Sequence, residues 1–347
     1  MRPHRRTGER WRRVVAAVLL AALCACAESA VAAATPAPGT IGLRLLDEPA
    51  GAGGDPRARL YIVDHIPPGG TITRRMEVTN TTASTAHVAL YAGGAAIVGG
   101  AFVGAVGHSG NEPSTWTHVS PSASDIPAGG HSTVAVRIRV PTDASPGERY
   151  GVVWAEVQSS PAAGGNLRQI NRVGIRLYLS IGPGAAPAAN FSIDTVSATR
   201  GIEGAPRLLA AVHNIGGRAL DLFGTLRLSA GPGGLNAGPV PAVLGTTVAV
   251  NGTETVAFIL ATAIPNGPWT AQIILHSGRL TRTARARITF PARGAPPTVD
   301  RVKAAPHRSL FHPLLASLLL LLLLIAGAAW VLRRSSRRSS TDETARR

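Results

Sequence analysis

Histidine is the residue type in this sequence that most invites a search for catalysis or metal binding, because the chain contains ten of them. Three lie in the terminal segments. The other seven show no spacing that is typical of a metal site; they are His65, His87, His108, His118, His131, His213 and His276. Their scatter favours histidines in turns and on strand faces, and it predicts no catalytic, metal-binding or cofactor-binding site. Convergence of distant histidines through folding stays open.

The acidic, glycine-rich and cysteine residues add no local chemistry. Acidic residues are sparse, so the paired carboxylates of a glycosidase could arise only through folding. The segment from Gly104 to Gly110 lacks the Lys-Ser/Thr pair and the following helix of a phosphate loop. Both cysteines, Cys24 and Cys26, lie near the N-terminus, which excludes disulfides from the rest of the chain. We therefore expect no enzyme, with a hydrolase assembled by folding as an alternative.

Five residues are candidates for ligand binding. Trp116, Tyr150 and Trp154 could stack on sugar rings, although a strand tryptophan in a β-sandwich is more often part of the core. Arg285 and Arg287 lie on one face of a predicted strand and could form a basic patch for an anionic partner. A solvated strand face explains these two arginines equally well.

Two hydrophobic segments lie near the ends of the chain. The uncharged segment from Pro313 to Leu332 matches the roughly 20 apolar residues that cross a bilayer, and the arginines after it predict a cytoplasmic C-terminus. Residues 1–34 combine several arginines with a short apolar stretch, as a signal peptide does, and lipidation of Cys26 is the alternative. These segments predict a single-pass protein of the cell membrane whose N-terminal domains lie outside the cytoplasm.

The net charge of +16 is a poor guide to partners. Residues 1–34 and 333–347 contribute +4 each, and residues 35–187 hold 11 basic and 10 acidic groups. Predicted export also argues against nucleic acid as a partner. The mild positive charge near the predicted membrane span fits anionic lipids or wall polymers better.

A repeated turn and the strands after it organise the first part of the chain. Ile66 to Gly70 and Ile126 to Gly130 are both Pro-Gly turns, and each precedes a segment in which apolar and polar residues alternate. In the second segment Val134, Val136 and Ile138 share one face, which is typical of a half-buried antiparallel strand. About seven such strands predict an immunoglobulin-like β-sandwich over residues 35–183.

The alternation begins again after a Gly-Pro-Ala linker and predicts a second sandwich over residues 188–291. Leu220, Leu222, Leu226 and Leu228 face one way in its clearest strand. Residues 292–312 are predicted as a stalk, 313–332 as the transmembrane helix and 333–347 as a basic tail. The predicted fold class is therefore all-β, with two tandem immunoglobulin-like sandwiches and one C-terminal transmembrane helix.

The order of these parts resembles the WxL-interacting proteins of Gram-positive surfaces. The residues that carry the resemblance are Ile66 to Gly70, Glu77 to Asn80, Trp116, Ile126 to Gly130, Val140-Pro141, Pro146-Gly147, Val212 to Asn214, Gly224 and Ile288 to Phe290. The resemblance implies a peptidoglycan-binding domain, a host-binding domain and partnership with other surface proteins. It assigns no ligand residue to this chain.

Two functional hypotheses follow. The first is a non-enzymatic, membrane-anchored adaptor or adhesion protein of the bacterial cell surface that contacts peptidoglycan, another wall polymer or secreted surface proteins. The second is a membrane-tethered chaperone or assembly factor that offers a sheet edge to exported proteins.

Overall fold

The computed structural model describes residues 39–49, 55–158, 168–201 and 203–301. The predicted signal peptide, the membrane span from Pro313 to Leu332 and the basic tail lie outside the described residues. Strands dominate the described part of the chain, so the all-β class is confirmed. Within that part, no helix is both long enough and apolar enough to cross a bilayer.

The first unit consists of two sheets and two short helices. Its strands are β1 (Ile41–Leu45), β2 (Ile62–Ile66), β3 (Thr71–Asn80), β4 (Ala86–Val98), β5 (Ala101–Gly104), β6 (Thr117–Ser120), β7 (Ala123–Ile126), β8 (His131–Arg139), β9 (Gly147–Gln158) and β10 (Ile170–Ile181). A 3₁₀ helix spans Pro56–Arg59, and helix α1 spans Glu112–Trp116. One sheet has the order β1-β3-β8-β6; the other has the order β2-β10-β9-β4-β5, with β7 also paired to β4.

The second unit repeats this two-sheet arrangement. Its strands are β11 (Phe191–Arg200), β12 (Pro206–Asn214), β13 (Leu220–Asp221), β14 (Phe223–Ser229), β15 (Ala237–Pro241), β16 (Thr247–Val248), β17 (Thr253–Ile259), β18 (Trp269–Ser277), β19 (Leu280–Ile288) and β20 (Thr298–Arg301). A 3₁₀ helix spans Pro232–Gly234. The sheet orders are β17-β12-β11-β20 and β15-β14-β18-β19, and β13 pairs with β16.

Each unit has its own hydrophobic core, and alternation along the strands builds it. Val134, Val136 and Ile138 of β8 are fully buried and face apolar residues of the other sheet, as the sequence predicts. In the second unit Leu220 and Leu226 are fully buried in a separate core. The period of two therefore predicts correctly which face of these strands is inside.

The second unit extends further along the chain than the sequence suggests. Thr298–Arg301, inside the stretch 292–312, form β20 and pair antiparallel with β11. Backbone pairing with an open sheet edge explains this, because it does not require an apolar side-chain pattern.

The repeated turns have the geometry that their glycines allow. Gly69 and Gly129 have φ values of 79° and 70°, a region that glycine occupies without steric cost. The next amide closes each turn, since Gly70 N–H bonds the Pro67 carbonyl at 2.9 Å, as Gly130 does with Pro127. Both turns lead directly into long strands of the same sheet, β3 and β8, which pair antiparallel.

In each unit a buried asparagine donates hydrogen bonds that hold two loop segments together. Asn80 is fully buried, and its Nδ2 donates to the carbonyls of Ser84, Ile126 and Pro127 at 2.8, 2.9 and 3.2 Å. Asn214 does the same in the second unit, with three carbonyls at 2.8–3.2 Å. Because buried carbonyls need donors, one side chain contacts three carbonyls from two separate segments of the chain.

We expect Asn80→Ala to lower the free energy of unfolding by about 3 kcal/mol, because it leaves buried carbonyl oxygens without a donor. Denaturant unfolding of the purified chain measures this. The control is Asn171→Ala at an exposed site, which should change stability by less than about 0.5 kcal/mol. Equal effects of the two variants would contradict the structural role of Asn80.

Candidate functional site

Strand β10 is paired unequally on its two sides. Its antiparallel pairing with β9 runs the whole length, from Ile170 opposite Gln158 to Ile181 opposite Gly147. On the other side β2 runs parallel to it and pairs only with Leu177–Ile181. Among the described residues, no strand pairs with the outer edge of Ile170–Arg176. This segment, called the free edge below, presents unpaired backbone donors and acceptors over roughly 23 Å.

A groove lies beside the free edge, between the open ends of the two sheets. Its volume is about 830 Å³, and it reaches from β1 of one sheet to the ends of β9 and β10 in the other. Its apolar lining consists of Ile41, Ala86, Ala155, Val157 and Val173. Three of these, Ile41, Val157 and Val173, are only partly buried at the margin of the core. The first core is therefore open to solvent at this end.

Side chains along the free edge alternate between the groove and the outer face of the sheet. Val173 lines the groove, and Ile175 continues on the same face into the buried core. Ile170 keeps 55 % of its surface exposed at the beginning of the strand. A chain segment paired with this edge would therefore place every second side chain over the groove.

Two other strands at sheet edges, β15 and β19, carry features that block pairing. Strand β15 contains Pro239 and Pro241, which lack a backbone N–H, and β19 carries Arg285 and Arg287 on its exposed face. Charged and proline residues are the usual protection of an edge strand. The free edge of β10 has two charged residues, Arg172 and Arg176, and both are held by contacts within the protein. The Arg172 guanidinium lies over the Trp154 ring at 4.6 Å and donates to the Gly107 carbonyl at 2.7 Å, and Arg176 donates to Asp221 at 3.2 Å.

The Trp154 ring is covered by neighbouring residues, whereas a sugar-stacking site needs an exposed ring face. It lies across three glycines, Gly93, Gly104 and Gly174, where an added Cβ would come within 2.8 Å of the indole. Arg172 stacks on the ring. Because these three glycines carry no side chain, the flat indole fits against the outer face of the sheet.

The other residues that the sequence suggests for ligand binding lie in different parts of the fold and do not form one site. Trp116 ends helix α1 and packs against the first core. Tyr150 donates its hydroxyl to Glu148 at 2.6 Å, and burial raises the pKa of this phenol. Arg285 and Arg287 are exposed on β19 of the second unit, opposite Gln272 and Thr270 of β18.

A polar cluster around one buried carboxylate, that of Glu156, lies on the outer face of the first unit. Glu156 is 3 % exposed and accepts hydrogen bonds from Tyr91 Oη at 2.6 Å and from Gln158 at 3.1 Å. His108 stacks on Tyr91 with ring centroids 4.0 Å apart. The Tyr91 hydroxyl, more than any other neighbour, lowers the pKa of Glu156. A carboxylate held ionised in this way cannot act as a general acid near neutral pH.

Metal binding finds no support among the described residues, where no group of three or more histidine, cysteine or acidic side chains is arranged to hold an ion. The free edge and its groove are the feature that sequence reasoning did not locate. A signal was present in the apolar alternation of Val173, Ile175 and Leu177, but the partial coverage by β2 has no local signature.

Hydrogen exchange measured by NMR tests the free edge. We expect the amides of Ile170–Arg176 that point away from β9 to exchange at least about ten-fold faster than amides of Leu177–Ile181 that face β2. Their neighbours bonded to β9 serve as the internal control. Equal protection on both halves of β10 would show that the edge is covered.

No protein-family model and no curated protein matches the chain. Several solved structures are similar in fold. The Escherichia coli chaperone DraB is 13 % identical, with 73 % of this chain and 100 % of DraB covered and a TM-score of 0.37. The Pseudomonas aeruginosa CupB2 chaperone is 11 % identical, with 66 % and 98 % covered and a TM-score of 0.34. A Salmonella enterica SafA pilin complex with the SafB chaperone is 13 % identical, with 72 % and 96 % covered and a TM-score of 0.36.

Two predictions from the sequence are contradicted. The three matched structures named above are chaperones, one of them in complex with a pilin, rather than peptidoglycan-binding or adhesion proteins, which corrects the predicted cell-wall and adhesion role. The predicted location, a single-pass cell-membrane protein with a cytoplasmic C-terminus, is contradicted by the same matches. Among the described residues no helix is long and apolar enough to cross a bilayer, and the segment from Pro313 to Leu332 lies outside them.

Proposed function

We propose that the protein is a non-enzymatic chaperone or assembly factor for secreted or surface proteins. It holds an extended client segment as an added strand on the free edge of β10. The observation that carries this proposal is the half-paired β10 beside an open apolar groove. Secreted or surface clients are proposed because residues 1–34 have the pattern of a signal peptide.

When a client binds as an added strand, its backbone hydrogen bonds supply affinity and its side-chain contacts supply selectivity. Backbone hydrogen bonds along Ile170–Arg176 supply affinity that does not depend on the client sequence. The groove then selects clients whose alternate residues are apolar, because Ile41, Val157 and Val173 offer apolar surface there. A client strand would also cover the open end of the first core. This arrangement suits a partner that would otherwise expose an aggregation-prone strand.

We also propose that both units are immunoglobulin-like sandwiches. In the first unit two sheets share one core, and in the second unit the strand orders are comparable. The buried Asn80 and Asn214 make equivalent carbonyl contacts, which supports a common architecture.

A peptide titration tests the client site. A seven-residue peptide that alternates valine with threonine should perturb the NMR amide signals of Ile170–Arg176 and slow their hydrogen exchange. Val173→Glu should weaken this binding by about ten-fold or more, because it places a charge over the apolar groove. The matched control is Val103→Glu, since Val103 is 48 % exposed on β5 and the change there should leave binding intact.

The strand whose amide signals the peptide perturbs shows where the peptide binds. Perturbation of β6, β15 or β19 instead of the free edge, or equal binding by both glutamate variants, would contradict the proposal. Unfolding curves of both variants establish that each is folded, so loss of binding cannot be confused with loss of structure.

A cellular experiment tests the choice of clients. Deleting the gene should lower the amounts of specific secreted proteins, and the wild-type gene or Val103→Glu should restore them. Val173→Glu should fail to restore them. An unchanged secreted proteome after deletion would count against a chaperone or assembly role.

A further inference from the structure

Charged and polar side chains join the two units. Arg57, in the 3₁₀ helix of the first unit, is 6 % exposed and donates through Nη1 to the carbonyl of Ala219 at 2.9 Å. The Ala219 amide donates to Glu148 Oε2 at 2.6 Å. Tyr178 of β10 donates to Asp221 Oδ1 at 2.9 Å. The junction is therefore a buried network of hydrogen bonds rather than an apolar contact.

A pocket of about 320 Å³ lies beside this junction and takes its lining from both units. Asp55 and Arg57 contribute from the first unit, and Arg218, Ser277 and Arg279 contribute from the second. Three arginines and one aspartate are therefore among the residues that line the pocket. The volume is at the lower end of the range for small-molecule sites, and the lining favours an anion.

Unpartnered buried donors mark the walls of this pocket. Arg57 Nε, Arg218 Nε and Ser277 Oγ are buried and have no hydrogen-bond partner. Two of the residues are deeply buried: the Arg57 side chain is 7 % exposed and Ser277 is 3 % exposed. Arginine nitrogens only donate, so the group that satisfies them must be an acceptor. Buried polar groups are normally paired, which makes three such atoms around one pocket a sign of a ligand.

Acidic neighbours within the protein do not complete these bonds. Asp55 Oδ2 is 3.6 Å from Arg57 Nη2, and Asp221 Oδ2 is 3.7 Å from Arg57 Nη1, so both approach the terminal nitrogens and leave Nε unpaired. For Arg218, burial lowers the pKa most and repulsion by Arg57 lowers it further, while the charges of Asp55 and Glu148 raise it. An anion between the two guanidinium groups would relieve that repulsion.

We propose that this pocket binds a small oxyanion that bridges the two units through Arg57, Arg218 and Ser277. Phosphate and carboxylate groups share the required chemistry, since both present adjacent oxygens to the fork of a guanidinium. None of the pocket's lining residues lines the groove beside the free edge. The inference is therefore independent of the proposed client site.

Thermal unfolding of the full chain in sodium phosphate, sodium sulfate, sodium acetate and sodium chloride, all at one ionic strength, tests the proposal. A bound oxyanion should raise the unfolding midpoint with a saturable concentration dependence, and calorimetric titration gives the affinity. Arg218→Gln should weaken binding by about ten-fold or more. The matched control is Arg285→Gln, which makes the same change at an exposed site outside the pocket and should bind as wild type does.

Each outcome decides the proposal. Saturable binding of phosphate or sulfate alone supports a tetrahedral ligand, and binding of acetate as well supports a carboxylate; either result requires the loss in Arg218→Gln. No saturable binding of these oxyanions, or equal binding by the two glutamine variants, overturns it. If Arg218→Gln does not fold, Ser277→Ala provides the same comparison because it removes only a hydroxyl.

Discussion

Backbone donors and acceptors at a sheet edge need partners. In the first unit, strand β10 has partners along its whole length on one side only. Strand β10 is paired with β9 throughout but with β2 over Leu177–Ile181 alone. The short length of β2 therefore determines where the sheet is closed and where it is open. The groove lies beside the same unpaired segment and takes part of its lining from it.

Much of the fold could be predicted from local patterns, because alternation and turn chemistry are local properties. Val134, Val136 and Ile138 point inward as their spacing indicates, and Gly69 takes the positive φ that its turn requires. The pairing of β2 with β10 could not be predicted in this way. Its partners are more than one hundred residues apart in the chain, and a period of two does not specify which strands become neighbours or in which direction they run.

The candidate ligand residues were less predictable than the strands, because periodicity assigns a side chain to a face without saying what packs on that face. Trp154 is on the outer face, but glycines beneath it and Arg172 above it enclose the ring. Tyr150 points into the junction between the units, where its hydroxyl donates a hydrogen bond to Glu148. Trp154 is enclosed by glycines distant in sequence and Tyr150 is held by a carboxylate two residues away, so each aromatic that looked available for a ligand is used to build the structure.

Strand β10 also connects the free edge to the second unit. Arg176, the last residue of the free edge, and Tyr178, two residues further on, bond Asp221 at 3.2 and 2.9 Å. The C-terminal half of β10 is thus fixed by β2, β9 and the second unit together. A strand anchored so firmly at one end, and paired along one side, presents its open half as an ordered template. An incoming chain then meets an edge that is already extended, and the entropy lost on pairing is mainly its own.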